Sequence, residues 1–316
     1  MPKSPMGEIR CVIDVSAPAD VVYRLVVAAE NWPNIFPACI HVERAAPGDG
    51  ADQLRIWSGT DRSVGVSAVR RTLDDTRTRT EFEAETSAMS VSGTLRVEAT
   101  GVRRCRILLD AAGRAAGRLS AAAADRVLRS GDEACAAALD TLRRHAERDE
   151  TSGSVRFTLA ESIRIGSASA SVSAETYAFI RRADTWPRLL RHIVSARLEP
   201  TRLDDVETLE VTARMLGGHQ LTTKCYRVHP SSAGIFTKDV VLPELMAVHT
   251  GSWTFSQEGP ELLVTCRHTV ELASDRLAAV LGPGASAEDA VQHIRDSLTA
   301  NDQATLRHVK RLAETG

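Results

Sequence analysis

Near the N-terminus, Ile9, Cys11, Ile13 and Val15 alternate with polar residues, the period-two pattern of a strand with one buried face. Ser16-Ala-Pro18 then opens a helix, with Pro18 early and Asp20 in its first turn. The residue before a proline is pushed out of helical space, so this helix should stop near Trp32-Pro33. Strand-like stretches follow at about 39–46, 52–60, 63–73, 77–86, 89–99 and 103–110, separated by turn signals such as PGDG at 47–50 and LDD at 73–75. An Ala-rich stretch at about 119–148 places Cys135, Leu139, Leu142 and Ala146 on one helical face.

The same order then recurs. A strand is predicted at about 155–166 and a helix at about 173–184. Strands follow near 192–199, 205–214, 219–229, 234–242, 246–256 and 261–272. A short helix near 274–281 and a GPGAS loop lead into a long helix at about 286–313, with Val291, Ile294, Leu298, Thr305, Val309 and Leu312 on one side. The repeat is visible in the letters as well. Tyr23 and Trp32 lie 154 residues before Tyr177 and Trp186; Met89-Ser-Val91 lies 157 before Met246-Ala-Val248; Thr141-Leu-Arg-Arg144 lies 164 before Thr305-Leu-Arg-His308. A separation that grows along the chain is what a duplication with small insertions produces. The units are 1–150 and 151–316, joined by the polar stretch ERDETSGS at 147–154.

This order predicts an α+β protein of two tandem domains. A seven-stranded antiparallel sheet twists and curls, and a long C-terminal helix can close the open side of the curl. This is the helix-grip architecture, and small side chains between helix and sheet would leave a pocket for an apolar or polycyclic ligand.

Composition adds exclusions. The 316 residues contain 43% hydrophobic and 25% charged residues, a globular mixture. A net charge of −2 argues against a nucleic-acid partner. No run is long enough to span a bilayer and no signal peptide opens the chain, so a cytoplasmic location and no membrane partner are expected. The six cysteines form no CxxC pair and read as small core residues in a reducing compartment. No G-x-S-x-G, H-E-x-x-H or P-loop motif is present, so neither a metal nor a cofactor is expected. Gly217-Gly218 reads as a hairpin turn, Asp74-Asp75 and Asp204-Asp205 as turns, and Glu81, Glu83 and Glu85 as a solvated strand face.

The candidate chemistry comes from strand faces. Arg71 shares a face with Gly65, Ser67 and Val69, and Arg227 shares one with Leu221, Thr223 and Cys225. These faces are small or apolar and suit a cavity wall, where a fixed positive charge would stabilise an enolate or alkoxide. The competing reading is a solvent-facing arginine or a structural ion pair. His268 shares a face with Leu262, Val264, Cys266, Val270 and Leu272, so it is either a general acid or base or a satisfied core histidine. His192 and His249 are weaker candidates, at strand ends or on uncertain faces.

Asn31-Trp32-Pro33-Asn34-Ile35-Phe36, Thr185-Trp186-Pro187-Arg188-Leu189-Leu190, Arg70-Arg71-Thr72, Tyr226-Arg227-Val228-His229-Pro230 and the two Met-x-Val segments together resemble the di-domain aromatase/cyclases of bacterial type II polyketide synthases. That resemblance covers nearly the whole chain. It implies two fused START-like domains that fold a carrier-bound poly-β-ketone and catalyse first-ring C7–C12 aldol closure, dehydration to the aromatic ring, or both, without a cofactor. By position it implies that Arg71 and Arg227 hold a substrate carbonyl. Trp32, Trp57, Trp186, Met89, Met246, Ser67 and Thr223 would shape the pocket, with His268 as proton donor or base. Single-domain members of the family carry a tyrosine seven residues after the tryptophan; here those positions are Cys39 and Ile193. The implied partners are an acyl carrier protein and the other synthase components. The clusters Arg70-Arg71, Arg77-Arg79 and Arg103-Arg104-Arg106 offer it a dock, or simply protect sheet edges. The rival function is a non-catalytic carrier of a lipid or other hydrophobic molecule, and a third arrangement fuses one catalytic domain to a structural one.

Overall fold

The computed structural model describes residues 6–45, 51–60, 63–74, 76, 78–117, 119–151, 155–166, 170–215, 218–230 and 234–315. The expected turn at 47–50, Asp75, Arg77 and Gly217 lie outside the described residues. The chain divides into two compact units, Met1–Gly153 and Ser154–Gly316.

In the first unit, β1 (Met6–Val15) is followed by α1 (Ala19–Val27), β2 (Cys39–Arg44), β3 (Asp52–Thr60), β4 (Ser63–Leu73), β5 (Arg79–Glu85), β6 (Met89–Gly101), β7 (Arg104–Ala115) and α2 (Ala121–Thr151). The strands form one antiparallel sheet in the order β1-β7-β6-β5-β4-β3-β2. Consecutive strands are hairpin neighbours except β1, which closes onto β7 with Ile9 opposite Ala111. Ile9, Val15, Val97, Ile107 and Leu109 from the sheet pack with Val22, Tyr23 and Val26 of α1 and Leu139, Leu142 and Ala146 of α2. Burying each such Val, Leu or Ile side chain contributes about 1.5–3 kcal/mol, which holds the helix on the sheet.

The second unit repeats the plan with β8 (Arg156–Ile165), α3 (Ala170–Arg181), α4 (Trp186–Leu189), β9 (Ile193–Pro200), β10 (Val206–Arg214), β11 (Gln220–Val228), β12 (Gly234–Val241), β13 (Met246–Glu258), β14 (Glu261–Leu272), α5 (Leu277–Leu281) and α6 (Ala287–Thr315). Its sheet runs β8-β14-β13-β12-β11-β10-β9, the same order as the first. Gly218, at φ +86°, takes the left-handed conformation that the β10–β11 hairpin requires.

Two expectations shift. Both helices end early, the first expected to reach Trp32-Pro33 and the second expected to reach about residue 184. The first ends at Val27 and a 3₁₀ turn carries Ala29–Asn34; the second ends at Arg181 and Pro187 sits in the first turn of α4. Proline is well placed there because the amide it lacks would have no helical partner. The stretch 147–154 was expected to be a linker, yet α2 continues through Thr151.

Candidate active site

A cavity of about 590 Å³ lies inside the second unit, between the curled sheet and α6. One wall is apolar, with Trp186, Leu209, Val211, Leu221, Met246 and Trp253. The other carries Asp239 of β12, His249 of β13, His268 of β14 and Asp302 of α6.

These four side chains form a continuous row. Asp239 Oδ2 meets His249 Nδ1 at 2.8 Å, and His249 Nε2 meets His268 Nδ1 at 2.9 Å, with the two rings stacked. His268 Nε2 then meets Asp302, 3.2 Å from Oδ1 and 3.1 Å from Oδ2. Only Oδ1 has hydrogen-bond alignment, so Oδ2 is buried with no hydrogen-bond partner. Burial opposes charge on His249, but the adjacent Asp239 carboxylate, with Asp302 behind it, outweighs burial and raises the pKa above the usual histidine value. His192, at the cavity edge, moves the other way, because burial outweighs the attraction of Asp302.

Cys266 lies two residues before His268 on the same strand face, its sulfur 3.2 Å from His268 Nε2 and 3.6 Å from Asp302 Oδ1. Burial and then the Asp302 charge push its thiol well above the usual range, so it is a neutral neighbour. Among the described residues, Cys266, His268 and Asp302 are the group whose donor atoms lie close enough to converge on a cation. Their mutual hydrogen bonds account for that spacing without one.

The face readings for the second unit place Thr223, Met246, Trp186 and His268 at the cavity, together with Leu221 and Cys225. Arg227 is the exception. It is 1% exposed and does not line the cavity. Its Nη1 donates to the Arg181 carbonyl at 3.0 Å and its Nη2 to the Ile180 carbonyl at 2.7 Å; Glu207 lies 3.2 Å away and also accepts from His229 at 2.7 Å. Arg71 does the same in the first unit. It is 2% exposed, donates to the carbonyls of Val26 (2.7 Å) and Val27 (2.5 Å), and forms a two-pronged bond to Asp52 at 2.8 and 3.0 Å. The expected substrate-holding arginines are therefore structural in this geometry. Each satisfies the last carbonyls of a helix, the groups an α-helix leaves open. The strand alternation had the inward face right, but it carries no information about a helix end arriving at that face.

The remaining candidates of the first unit also sit in packing roles. Trp32 donates its indole N–H to the Leu25 carbonyl at 3.1 Å, as Trp186 does to Phe179 at 3.1 Å, and lies under the Arg71 guanidinium. Trp57 is fully buried but points away from Leu54 and Ile56; its ring packs on His41, with the Arg55 guanidinium 4.5 Å from its centroid. Met89 reaches toward Gly113 and Gly131, where an added Cβ would lie within 3.0 Å of its terminal methyl. Ser67 is half-buried opposite Ile56. Cys39 and Ile193, at the positions of the missing tyrosine, are buried, and Ile193 lines the second cavity. Of the arginine clusters, Arg71 is buried, Arg79 pairs with Glu81, and Arg106 pairs with Asp14.

Asp302 and Asp239 escaped the sequence reading, and His249 was only a weaker candidate, for definable reasons. The apolar stripe of the last helix runs Ile294, Leu298, Thr305, Val309, and Asp302 fills its gap, so an acid inside a buried stripe was the available signal. His249 was hidden by a β-bulge. The β13–β14 register shifts between Met246 and Val248, so Met246 and His249, of opposite parity, both reach the cavity.

Comparison with known proteins agrees with this architecture. Residues 6–147 match a family described as polyketide cyclase / dehydrase and lipid transport. The bifunctional cyclase/dehydratase of the actinorhodin polyketide synthase of Streptomyces coelicolor is 31% identical over 318 residues, covering 96% of each chain. The granaticin counterpart of Streptomyces virginiae is 32% identical over 300 residues, 92% of this chain and 94% of that one. Among solved structures, a di-domain aromatase/cyclase of the BE-7585A pathway superposes with a TM-score of 0.86 at 31% identity, covering 98% of this chain and 99% of that one. One from the steffimycin pathway gives 0.83 at 25%, covering 97% and 98%. Two repeated helix-grip sheets, a cavity with a carboxylate–imidazole row, and relatives spanning the whole chain lead to one conclusion: this chain belongs to the polyketide cyclase/dehydratase family and is a di-domain aromatase/cyclase of type II polyketide synthesis.

Proposed function

We propose that the second-unit cavity is where a carrier-bound poly-β-ketone is folded, closed in its first ring with C7–C12 regiochemistry and dehydrated to the aromatic ring, with Asp302 and His268 handling the protons. The observation that carries this reading is Asp302 of the cavity lining, whose buried Oδ2 has no hydrogen-bond partner although it lies 3.1 Å from His268 Nε2, the nitrogen that aligns on Oδ1.

The chemistry follows from the substrate. A carbon between two carbonyls is acidic, so Asp302 Oδ2 can take its proton while the electron pair enters an enolate. The apolar wall presses the chain into one fold, which brings the enolate carbon to a single carbonyl, and the new alkoxide takes the proton back. Dehydration uses the same oxygen twice: it removes a ring C–H proton, then delivers that proton to the departing hydroxyl, which leaves as water. No proton is gained or lost, and aromaticity drives the last step.

An acyl carrier protein is the proposed partner. Arg188, Arg191 and Arg214 are exposed beside the cavity residues Trp186, His192, Ala213 and Met215, which suits an acidic carrier. Among the described residues no helix is long and apolar enough to cross a membrane, and the six free cysteines fit the proposed cytoplasmic setting.

The test is a reconstituted synthase with Asp302→Asn or His268→Ala. Both are expected to lose the correctly closed aromatic product. An unchanged product profile from a folded variant sinks the reading.

A further inference from the structure

The row Asp239–His249–His268–Asp302 has three gaps, of 2.8, 2.9 and 3.1–3.2 Å. Each is short enough to require one proton between two lone pairs. A neutral imidazole carries one N–H, so two neutral rings fill only two gaps. The row is complete only with one surplus proton, and because an imidazole holds a proton more tightly than a carboxylate, it belongs to one ring or the other.

We propose that the surplus proton rests on His249, so that Asp239 and His249 act as positioning residues that keep His268 neutral, with its own proton on Nε2, and Asp302 basic. This rests on the reading of Asp302 as the base. The geometry separates the two rings. His249 Nδ1 lies 2.8 Å from Asp239, the shorter of the two carboxylate contacts, and charge-assisted bonds are the short ones. His268 faces a carboxylate that is also approached by the Cys266 thiol and has one oxygen without a hydrogen-bond partner. The groups around His249 are Asp239 and Lys238 from β12, Cys225 from β11, His268 and Cys266 from β14, and Asp302 and His293 from α6. Of these, Asp239 raises its affinity for a proton most directly, and Lys238 opposes it.

The chemical consequence is specific. An imidazolium at His268 would hold the Asp302 charge tightly and make it a poor base. A charged His249 donates Nε2–H to His268 Nδ1, which blocks that nitrogen from taking a proton and fixes the tautomer. His268 then orients Asp302 without neutralising it.

Nitrogen-15 NMR of the full chain with labelled histidine reads this directly, beside product formation in the reconstituted synthase. In the unmodified protein, His249 should show both nitrogens protonated and His268 only Nε2. Asp239→Asn should remove the second proton from His249 and slow aromatic product formation about tenfold or more. His249→Gln keeps an N–H donor toward His268, so it should preserve the His268 tautomer and most of the rate, whereas His249→Leu should not. This pair carries the test if Asp239→Asn fails to fold. A doubly protonated His268 in the unmodified protein overturns the proposal. So does an Asp239→Asn protein with an unchanged nitrogen pattern and rate. A fully active Asp302→Asn overturns the base assignment instead, whatever the nitrogen spectra show.

Discussion

The two units share a frame and differ at its centre. In both, a glycine in the strand after the fifth marks a close approach. At Gly93 an added Cβ would lie 2.3 Å from the Asp110 carbonyl, and at Gly251 it would lie 2.6 Å from Thr237 Oγ1. Gly93 pairs with Phe82 and Ala111; Gly251 pairs with Thr237 and His268. From these anchors, Asp239, His249 and His268 correspond to Ala84, Val91 and Ala111. By burial, one residue out of step with the Thr141/Thr305 letter match, the helix positions Leu139, Leu142 and Ala146 correspond to Asp302, Thr305 and Val309. Every member of the polar row thus has an apolar counterpart; Leu139 belongs to the first unit's hydrophobic core, and Val91 and Ala111 pack against it. The helix-capping arginine, by contrast, is present in both. The arginine that holds the fold is duplicated, and the carboxylate–imidazole row is not.

The largest expected effect tests that asymmetry. His268→Ala or Asp302→Asn should lower turnover by about 10²–10⁴, the usual worth of a positioned acid or base. Leu139→Met, the conservative change at the first unit's counterpart of Asp302, should leave the product profile unchanged and cost less than about 1.5 kcal/mol. A reversed result would move the chemistry to the first unit.

Next come the arginines, where symmetry is expected. Arg71→Ala and Arg227→Ala each leave two helix-end carbonyls without their donor and take the buried partner from a partly buried carboxylate, Asp52 or Glu207, which keeps Arg44 or His229. Each should destabilise its own unit by about 3–5 kcal/mol, read by denaturant unfolding. Loss of product without loss of stability would instead restore the substrate-holding role.

A smaller effect separates the units by pH. Burial lowers the His41 pKa to about 4, below its unfolded value near 6.5. The unfolded chain therefore binds the extra proton first, and stability falls as pH drops from about 6.5 toward 4, by on the order of 2–3 kcal/mol. His41→Phe should flatten that dependence in unfolding curves of the first unit. The smallest effect is expected at Cys266. Cys266→Ala should change turnover only severalfold, since a buried neutral thiol supplies packing; a collapse of activity would give the sulfur a direct part in the chemistry.

Legibility followed the range of the interactions. Strand alternation and the internal repeat predicted the fourteen strands and both long helices found among the described residues, because each is written in neighbouring residues. His268 was readable because its strand face is otherwise apolar. Arg71 and Arg227 were read onto the correct face and given the wrong neighbour, since their partners Val26, Val27, Ile180 and Arg181 lie 44–47 residues away. Asp239 was not legible, because its strand alternates weakly and its partner is supplied by the next one.

The bulge between Met246 and Val248 has a wider consequence. Its counterpart strand in the first unit keeps an unbroken register from Met89 through Gly93, with one residue fewer between methionine and glycine. One extra residue of backbone thus lets Met246 and His249 share the inward face that Met89 and Val91 share without a bulge. Deleting Ala247 would restore the first unit's spacing and should leave both side chains inward. Within a duplicated scaffold, the bulge absorbs a one-residue insertion, so the same strand face is kept in both copies while the residues on it change from apolar to polar.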